Sequence, residues 1–452
     1  MIQCCKITRM VAVDLSMSNL HSVHRSEFLS GVFLTCINTD KFKSGCITIN
    51  LICQLSHDTA ALNALLPRVL RRGSAKLPDM ENITAALDEL YGVRVEPIIR
   101  KKGEAHCIGF YTDFPDDRYL PDNVSVLEEA VGIVCDIILS PYMHEGKLCP
   151  DYTESEKSNL IDDIRAAIND KRGYAIDRLL EEMCRGEAFG ISKLGSEEEA
   201  AAITAQSLTE HYNKLVRNSR IEIFYCGSAS FERVSGAVEV AFKALPERSE
   251  TLMPKTDIIY SPPTEATRCF NDYLDVSQGK LTLGFRLGDV MKNPDYPALM
   301  LLNAIYGGSV SSKLFLNVRE KLSLCYYASS MMDKHKGIML VSSGVEFENF
   351  NIAHDEILLQ LESVKTGDIS DWEFTSAKRS IITSLKSALD RLGGLEELYF
   401  DSVIASIAYD PITLSDLVDA VTPARVVEAA AGIKLDSVYF LSGLECKEDG
   451  KK

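Results

Sequence analysis

No two histidines in this 452-residue sequence stand at the i, i+4 spacing that puts a pair of zinc ligands on one helical face. The eight that exist, His21, His24, His57, His106, His144, His211, His335 and His354, are scattered. His21 and His24 lie three apart with Cys4 and Cys5 upstream, a weak metal-site pattern inside an atypical leader. The thirteen cysteines, an odd number, contain no C-x-x-C pair. Cys53, Cys107, Cys135 and Cys226 fall in apolar runs, which reads as reduced, buried thiols of a cytosolic protein rather than a disulfide framework. No stretch approaches the roughly 18 to 20 apolar residues of a membrane span. Only Lys6 and Arg9 precede a short apolar patch at the N-terminus, too little for a signal peptide, so the expected location is the cytoplasm. A basic surplus is missing too. The net charge of -17 excludes the broad phosphate-binding face of a nucleic-acid partner. Two short clusters, Arg68, Arg71 and Arg72, then Arg100, Lys101 and Lys102, read as solvated or chamber-lining charge.

What is present is an ordinary globular composition, 46% hydrophobic and 25% charged, long enough for two domains. It also contains a repeat. Val276-Ser-Gln-Gly279-Lys-Leu-Thr-Leu sets against Phe42-Lys-Ser-Gly45-Cys-Ile-Thr-Ile, each opening an alternating strand. Gly103 follows Gly45, and Gly337 follows Gly279, by the same 58 residues (103 − 45 and 337 − 279). Each of these later glycines sits in a basic turn, Arg100-Lys-Lys-Gly and Lys334-His-Lys-Gly, that joins two strand-like runs. Helical patterns lie between strand and hairpin, near 59–71 and 80–91 in the first copy and 296–306 and 310–321 in the second. Thr153-Glu-Ser-Glu156 and Ser370-Asp-Trp-Glu373 read as capping boxes opening long helices. A final helical stretch and short strand close each copy, the first copy being longer by an insertion around 141–152. Each unit is therefore α+β, a mainly antiparallel sheet with helices packed on one face. The expected divisions are a poorly ordered leader over 1–26, a first domain over 27–246, a Pro-containing linker over 247–270 and a second domain over 271–452.

This unit order resembles the pitrilysin, or insulinase, family of zinc peptidases over most of residues 30–445. The most specific string is Tyr306-Gly-Gly-Ser-Val-Ser-Ser-Lys-Leu-Phe315, continuing through Asn317-Val-Arg319 to Tyr326-Tyr-Ala-Ser-Ser330. It looks like the family's second-domain signature, and the nearest likeness is to small bacterial two-domain members that lack the zinc motif and pair with an active sister. The resemblance implies two homologous domains arranged as half of a clamshell. Active members carry H-x-x-E-H before a Gly-Thr-type turn. Aligning that turn on Gly73-Ser74 puts the motif on Ala64-Leu-Leu-Pro67-Arg68. Alanine cannot ligate, proline cannot act as a base, and arginine repels a cation. The family's distal ligand falls on Asp163, or Asp162 one residue off, and a helper glutamate on Glu156, which the repeat explains better as a cap. No metal and no cofactor are expected.

What the resemblance leaves is the pair Arg319 and Tyr326, whose counterparts in active relatives reach a peptide lying on the other domain's zinc. A guanidinium fork can hold peptide carbonyls and a phenol can donate to a developing oxyanion. The blander account pairs Arg319 with Glu320 or Asp333 and simply packs Tyr326 and Tyr327, which as strand neighbours face opposite sides. Gly307 and Gly308 resemble a family loop linked to substrate handling, although a glycine break between helices is common on backbone grounds. The leading expectation is a non-catalytic subunit of a heterodimeric zinc peptidase, with an active sister chain as partner and a peptide as substrate. The rivals are a peptide-binding or scaffold protein with no part in hydrolysis, a homodimer or a monomer, and an independent metallopeptidase with an unrecognised site.

Overall fold

The computed structural model describes residues 22–121, 124–248, 251–292, 294–407 and 410–444. The chain forms two compact units, and they do not follow the halves of the sequence. The first takes in residues up to 164, 193–255 and 389–404; the second takes in 165–192, 256–388 and 405 onward.

The first unit is built on six strands, β1 (Ser22–Leu29), β2 (Val32–Asn38), β3 (Ser44–Gln54), β4 (Arg94–Lys102), β5 (Ala105–Pro115) and β8 (Arg220–Gly227). Their order is β1-β2-β8-β3-β5-β4, antiparallel except for β2 beside β8. Alternation along β3 divides its side chains between the two faces. Ile47, Ile49 and Leu51 join the main core, with α1 (Ala60–Leu70), α2 (Met80–Glu89), α3 (Val126–Leu139), α4 (Pro150–Ala166), α7 (Ala205–Asn218) and α8 (Phe231–Ala241). Thr48 points the other way, where α12 (Leu392–Ala405) lies. Its hydroxyl bonds Glu396 at 3.1 Å, and Phe224 of β8 meets Phe400 edge-on at 5.5 Å.

Five strands make the second unit: β9 (Arg268–Leu274), β10 (Gly279–Arg286), β11 (Cys325–Asp333), β12 (Ile338–Val345) and β13 (Lys434–Gly443). Their order is β11-β12-β10-β13-β9, with β13 and β9 the parallel pair. Read from β4 in the first sheet and β11 in the second, the two orders match strand for strand, and β1 is an added edge. Leu281, Leu283 and Phe285 face a core shared with α9 (Tyr296–Tyr306), α10 (Phe350–Lys365), α11 (Asp371–Ala388), α13 (Pro411–Ala420) and α14 (Pro423–Ala431). The opposite face, with Ile338, Leu340, Tyr439 and Leu441, packs on Ala175, Leu179 and Met183 of α5 (Lys171–Met183).

The expected α+β architecture, with helices packed on one face of each sheet, is what the chain forms, with one addition. Each sheet's second face is also covered, by one helix drawn from the other half of the sequence. A sheet buried on both faces hides its apolar side chains from water twice over, and pattern alone does not reveal which distant helix does the covering. The basic turns fasten these helices, so Arg100 and Lys102 are not the solvated charge that composition suggests. Arg100 lies 3.0 Å from Glu396, and Lys102 lies 2.9 Å from Asp401 and also pairs with Glu397. In the other basic turn Lys336 is fully buried 2.7 Å from Glu187, in the segment that follows α5, and Glu187 also accepts Arg286 at 2.7 Å.

Residues 22–26 of the expected leader belong to β1; residues 1–21, with Cys4, Cys5 and His21, lie outside the described residues. His24 stacks near Phe231 at 5.7 Å. At the other boundary the units divide at 255/256, and residues 268–270 of the expected linker begin β9. The insertion around 141–152 forms a small ribbon, β6 (Met143–His144) with β7 (Lys147–Leu148), then the start of α4. Cys107, Cys135 and Cys226 are buried free thiols and Cys53 is half-buried; burial pushes the Cys53 thiol up to about 11. No helix among the described residues is long and apolar enough to cross a membrane.

Candidate functional site

In the first unit, α1 carries the three positions where a zinc motif is expected. Ala64 is fully buried in the core. Pro67 sits inside the helix with neither a backbone N–H nor a basic atom to offer. Arg68 points at α4, where its Nη1 lies 2.7 Å from Asp163 Oδ2. One turn on, Arg72 Nη1 lies 2.8 Å from Glu156 Oε1. Arg68 lies in the last turn of α1 and Arg72 in the turn that follows the helix, while 156 and 163 are two turns apart on α4, so two guanidinium–carboxylate bridges tie this end of α1 to α4.

This geometry revises the account of Glu156. Helix α4 begins at Pro150, and the Thr153 hydroxyl donates to Cys149 O at 3.0 Å, so Thr153 is not an N-cap. Glu156 instead takes Arg72 and the Asn159 amide. In the second unit the box does form. Ser370 and Glu373 bond reciprocally, and Glu373 also lies 3.1 Å from the nearly buried Lys313. Asp162, the alternative register, makes no such contact with Arg68; Asp163 is the carboxylate that reaches it.

The arrangement does not fit a zinc ion. The carboxylates that remain are already held by guanidinium groups, and no group of three metal-ligating side chains occurs among the described residues. Nearby imidazoles do other work. Asn63 of α1 bridges His106 Nδ1 at 3.2 Å and His211 Nε2 at 2.8 Å. Burial lowers both histidines to about 4 and keeps them uncharged at neutral pH. Beside the bridges lies an open pocket of about 380 Å³, lined by Arg68, Arg71, Arg72, Met80, Pro97, Ile99, Glu156 and Asn159.

The second unit carries the other candidates. The helix expected over 310–321 is instead a π-helix, Leu314–Lys321. Its wider turn places Arg319 over the Phe315 ring at 4.6 Å, with Nε 3.5 Å from Glu320, a loose and exposed contact. Tyr326 falls where the β11–β12 register shifts between Cys325 and Tyr327, on the edge strand of its sheet. A bulge re-aims the extra residue, and Tyr326 is 69% exposed. Tyr327 is half-buried with the Arg172 guanidinium 4.4 Å above its ring. Gly307 and Gly308 meet backbone needs: a Cβ on Gly307 would stand 2.5 Å from Ser330 N, and Gly307 O accepts that N–H at 3.0 Å. Sequence reasoning missed the part played by Arg72, although its place four residues after Arg68, like that of Glu156 seven before Asp163, offered the signal. The π-helix left no sequence mark.

Residues 202–381 match the family described as "Peptidase M16 inactive domain". Over 415 residues the chain is 31% identical to the "Probable inactive metalloprotease YmfF" of Bacillus subtilis, covering 92% of this chain and 96% of that protein. Among solved structures, a conserved protein from Enterococcus faecalis superposes with a TM-score of 0.85 at 28% identity, covering 93% of this chain and 98% of the other. The peptidase M16 inactive domain from Pseudomonas fluorescens gives a TM-score of 0.76 at 14% identity, again over 93% and 98% of the two chains.

Proposed function

The chain belongs to the M16, or pitrilysin-type, metallopeptidase family as an inactive member, and from that premise we propose that it is the non-catalytic subunit of a heterodimeric zinc peptidase. A cytoplasmic sister chain supplies the metal and the general base. This chain contributes Arg319 to peptide carbonyls and Tyr326 to the oxyanion that develops at the scissile bond, since transition-state donors need not share a chain with the metal they serve. Its two halves are read as copies of one ancestral unit, the first having lost its ligands.

One observation carries this reading: ion pairs fill the positions where the resemblance leads one to expect metal ligands, while Tyr326 is exposed and Arg319 partly so. A tyrosine on a bulged edge with its ring in solvent contributes little to folding, and a peptide surface is a reason to keep it there. Co-expression with a sister chain carrying H-x-x-E-H, followed by a peptidase assay, tests it. Arg319→Ala and Tyr326→Phe are expected to lower kcat about 10-fold to 1000-fold without releasing the partner. Unchanged turnover in both variants sinks the shared-site mechanism and leaves peptide binding or scaffolding without hydrolysis.

A further inference from the structure

The pocket in the first unit has a charge imbalance that its ion pairs do not remove. Arg68 and Arg72 are each matched by a carboxylate. Arg71, on the same wall, makes no ion pair among the described residues. Its Nε donates to Val95 O at 2.7 Å and its Nη1 rests 3.3 Å from Met80 Sδ. It is half-buried, and burial lowers its pKa from the ordinary guanidinium value against the opposing pull of the Glu96 carboxylate, with which it forms no ion pair. The remaining wall is apolar at Met80, Pro97 and Ile99 and polar at Asn159, whose amide donates to Glu156.

Strand β4 forms one side of this pocket and is the free edge of its sheet. The β4–β5 hairpin pairs Lys102 with Ala105 next to its two-residue turn, so Val95, Pro97 and Ile99 turn their backbone groups away from β5. Along that outward edge Pro97 has no N–H to give, and Arg71 already occupies the Val95 carbonyl. A peptide strand laid against β4 loses two of its hydrogen bonds there, which leaves side chains to hold any ligand.

We propose that this pocket binds the carboxylate of a peptide whose adjoining residue is apolar, with Arg71 as the anion partner and Met80, Pro97 and Ile99 as the apolar seat. An arginine fork takes a carboxylate through paired donors, so the place that holds a cation in active relatives here holds the opposite charge. The inference goes beyond the shared-peptidase reading and stands without a sister chain, because every residue in it belongs to one unit of this chain.

Calorimetric titration of the purified full chain tests it with three probes: N-acetyl-Ala-Ala-Leu as the free acid, the same peptide as its C-terminal amide, and N-acetyl-Ala-Glu-Leu-amide. The free acid is expected to bind at least about tenfold more tightly than the first amide. Binding of the glutamate-containing amide as tight as that of the free acid assigns the site to side-chain carboxylates; weaker binding assigns it to chain termini. Met80→Glu adds a like charge at the exposed rim without touching the fold and is expected to lower affinity about tenfold. Arg71→Gln keeps a donor for Val95 O and is expected to lose the preference for acid, which Arg71→Lys retains in part. Equal binding of acid and amide, or full affinity in Met80→Glu, overturns the proposal, whatever the peptidase assay returns.

Discussion

Arg68 Nη1 and Asp163 Oδ2 stand 2.7 Å apart, at two of the positions where the sequence resemblance leads one to expect a zinc ligand. The guanidinium neutralises the carboxylate across the α1–α4 contact. Arg72 does the same for Glu156, in a drier setting: the Arg72 and Glu156 side chains are 31% and 13% exposed, whereas Asp163 is 57% exposed. Removing a partner from the drier pair strands more unsolvated charge. Arg72→Ala is therefore expected to cost about 1 kcal/mol in urea melts, and Arg68→Ala a few tenths of that. The reverse order would show that exposure does not rank these bridges.

Since guanidinium groups already hold the carboxylates, zinc has nothing to gain by binding the folded first unit. A tenfold molar excess of zinc is expected to leave the Tm of a variant starting at Ser22 unchanged, because only a ligand that prefers the native state raises it. A rise in Tm that disappears in Asp163→Asn would mean that the site still takes metal.

Acid is expected to unfold the protein earlier than its carboxylates alone dictate. His106 and His211 sit near 4 in the fold and near 6.5 in the unfolded chain, so the unfolded state takes up protons first. Their contribution is complete above pH 6.5 and is lost as pH falls from 6.5 towards 4. It amounts to on the order of 3 kcal/mol for fully buried His106 and less for His211. Denaturation midpoints measured across that window in the wild type and in His106→Gln check this; equal slopes in the two proteins would contradict it.

Glu187 holds two buried cations, Arg286 and Lys336, the second with no exposed surface. Glu187→Gln removes the countercharge and keeps the size, so it is expected to destabilise the fold by roughly 3 kcal/mol. The exposed pair of Arg425 and Glu428 serves as control, with Glu428→Gln changing stability by less than about 0.5 kcal/mol.

Neighbouring tyrosines separate surface from core. Tyr326→Ala is expected to alter stability by less than about 0.5 kcal/mol, while Tyr327→Ala, which empties the space under Arg172, costs about 2 kcal/mol. Equal losses would place Tyr326 in the packing instead of on the surface.

Much of the fold was legible because hydrophobic periodicity and turn glycines act locally. The β4–β5 and β11–β12 hairpins, with Gly103 and Gly337 at φ +56° and +71°, lie where their sequence places them. The same holds for α1, α2 and α9. The capping box at Ser370 was readable for that reason as well, whereas Thr153 was lost to a helix that starts at Pro150. That Ala64, Pro67 and Arg68 offer zinc no ligand set could be read from their side chains, once the resemblance pointed to those positions. The ion pairs formed there could not, since Arg72 and Glu156 are 84 residues apart and meet only through packing. The bulge at Tyr326 and the π-helix before it arise from strand pairing and tertiary fit, which leave little trace in a one-dimensional pattern.

The helix that covers the second face of the first sheet has a consequence for how the protein is made. Residues 22–255 leave the ribosome with Thr48, Phe224 and Arg100 but without α12, which begins 137 residues later (392 − 255). At roughly 5 to 20 residues per second, the nascent first half spends on the order of ten seconds with that face bare to water and to other chains. Its maturation is thus set by the clock of translation, and slow codons before residue 392 would lengthen the interval in which a chaperone must stand in for α12.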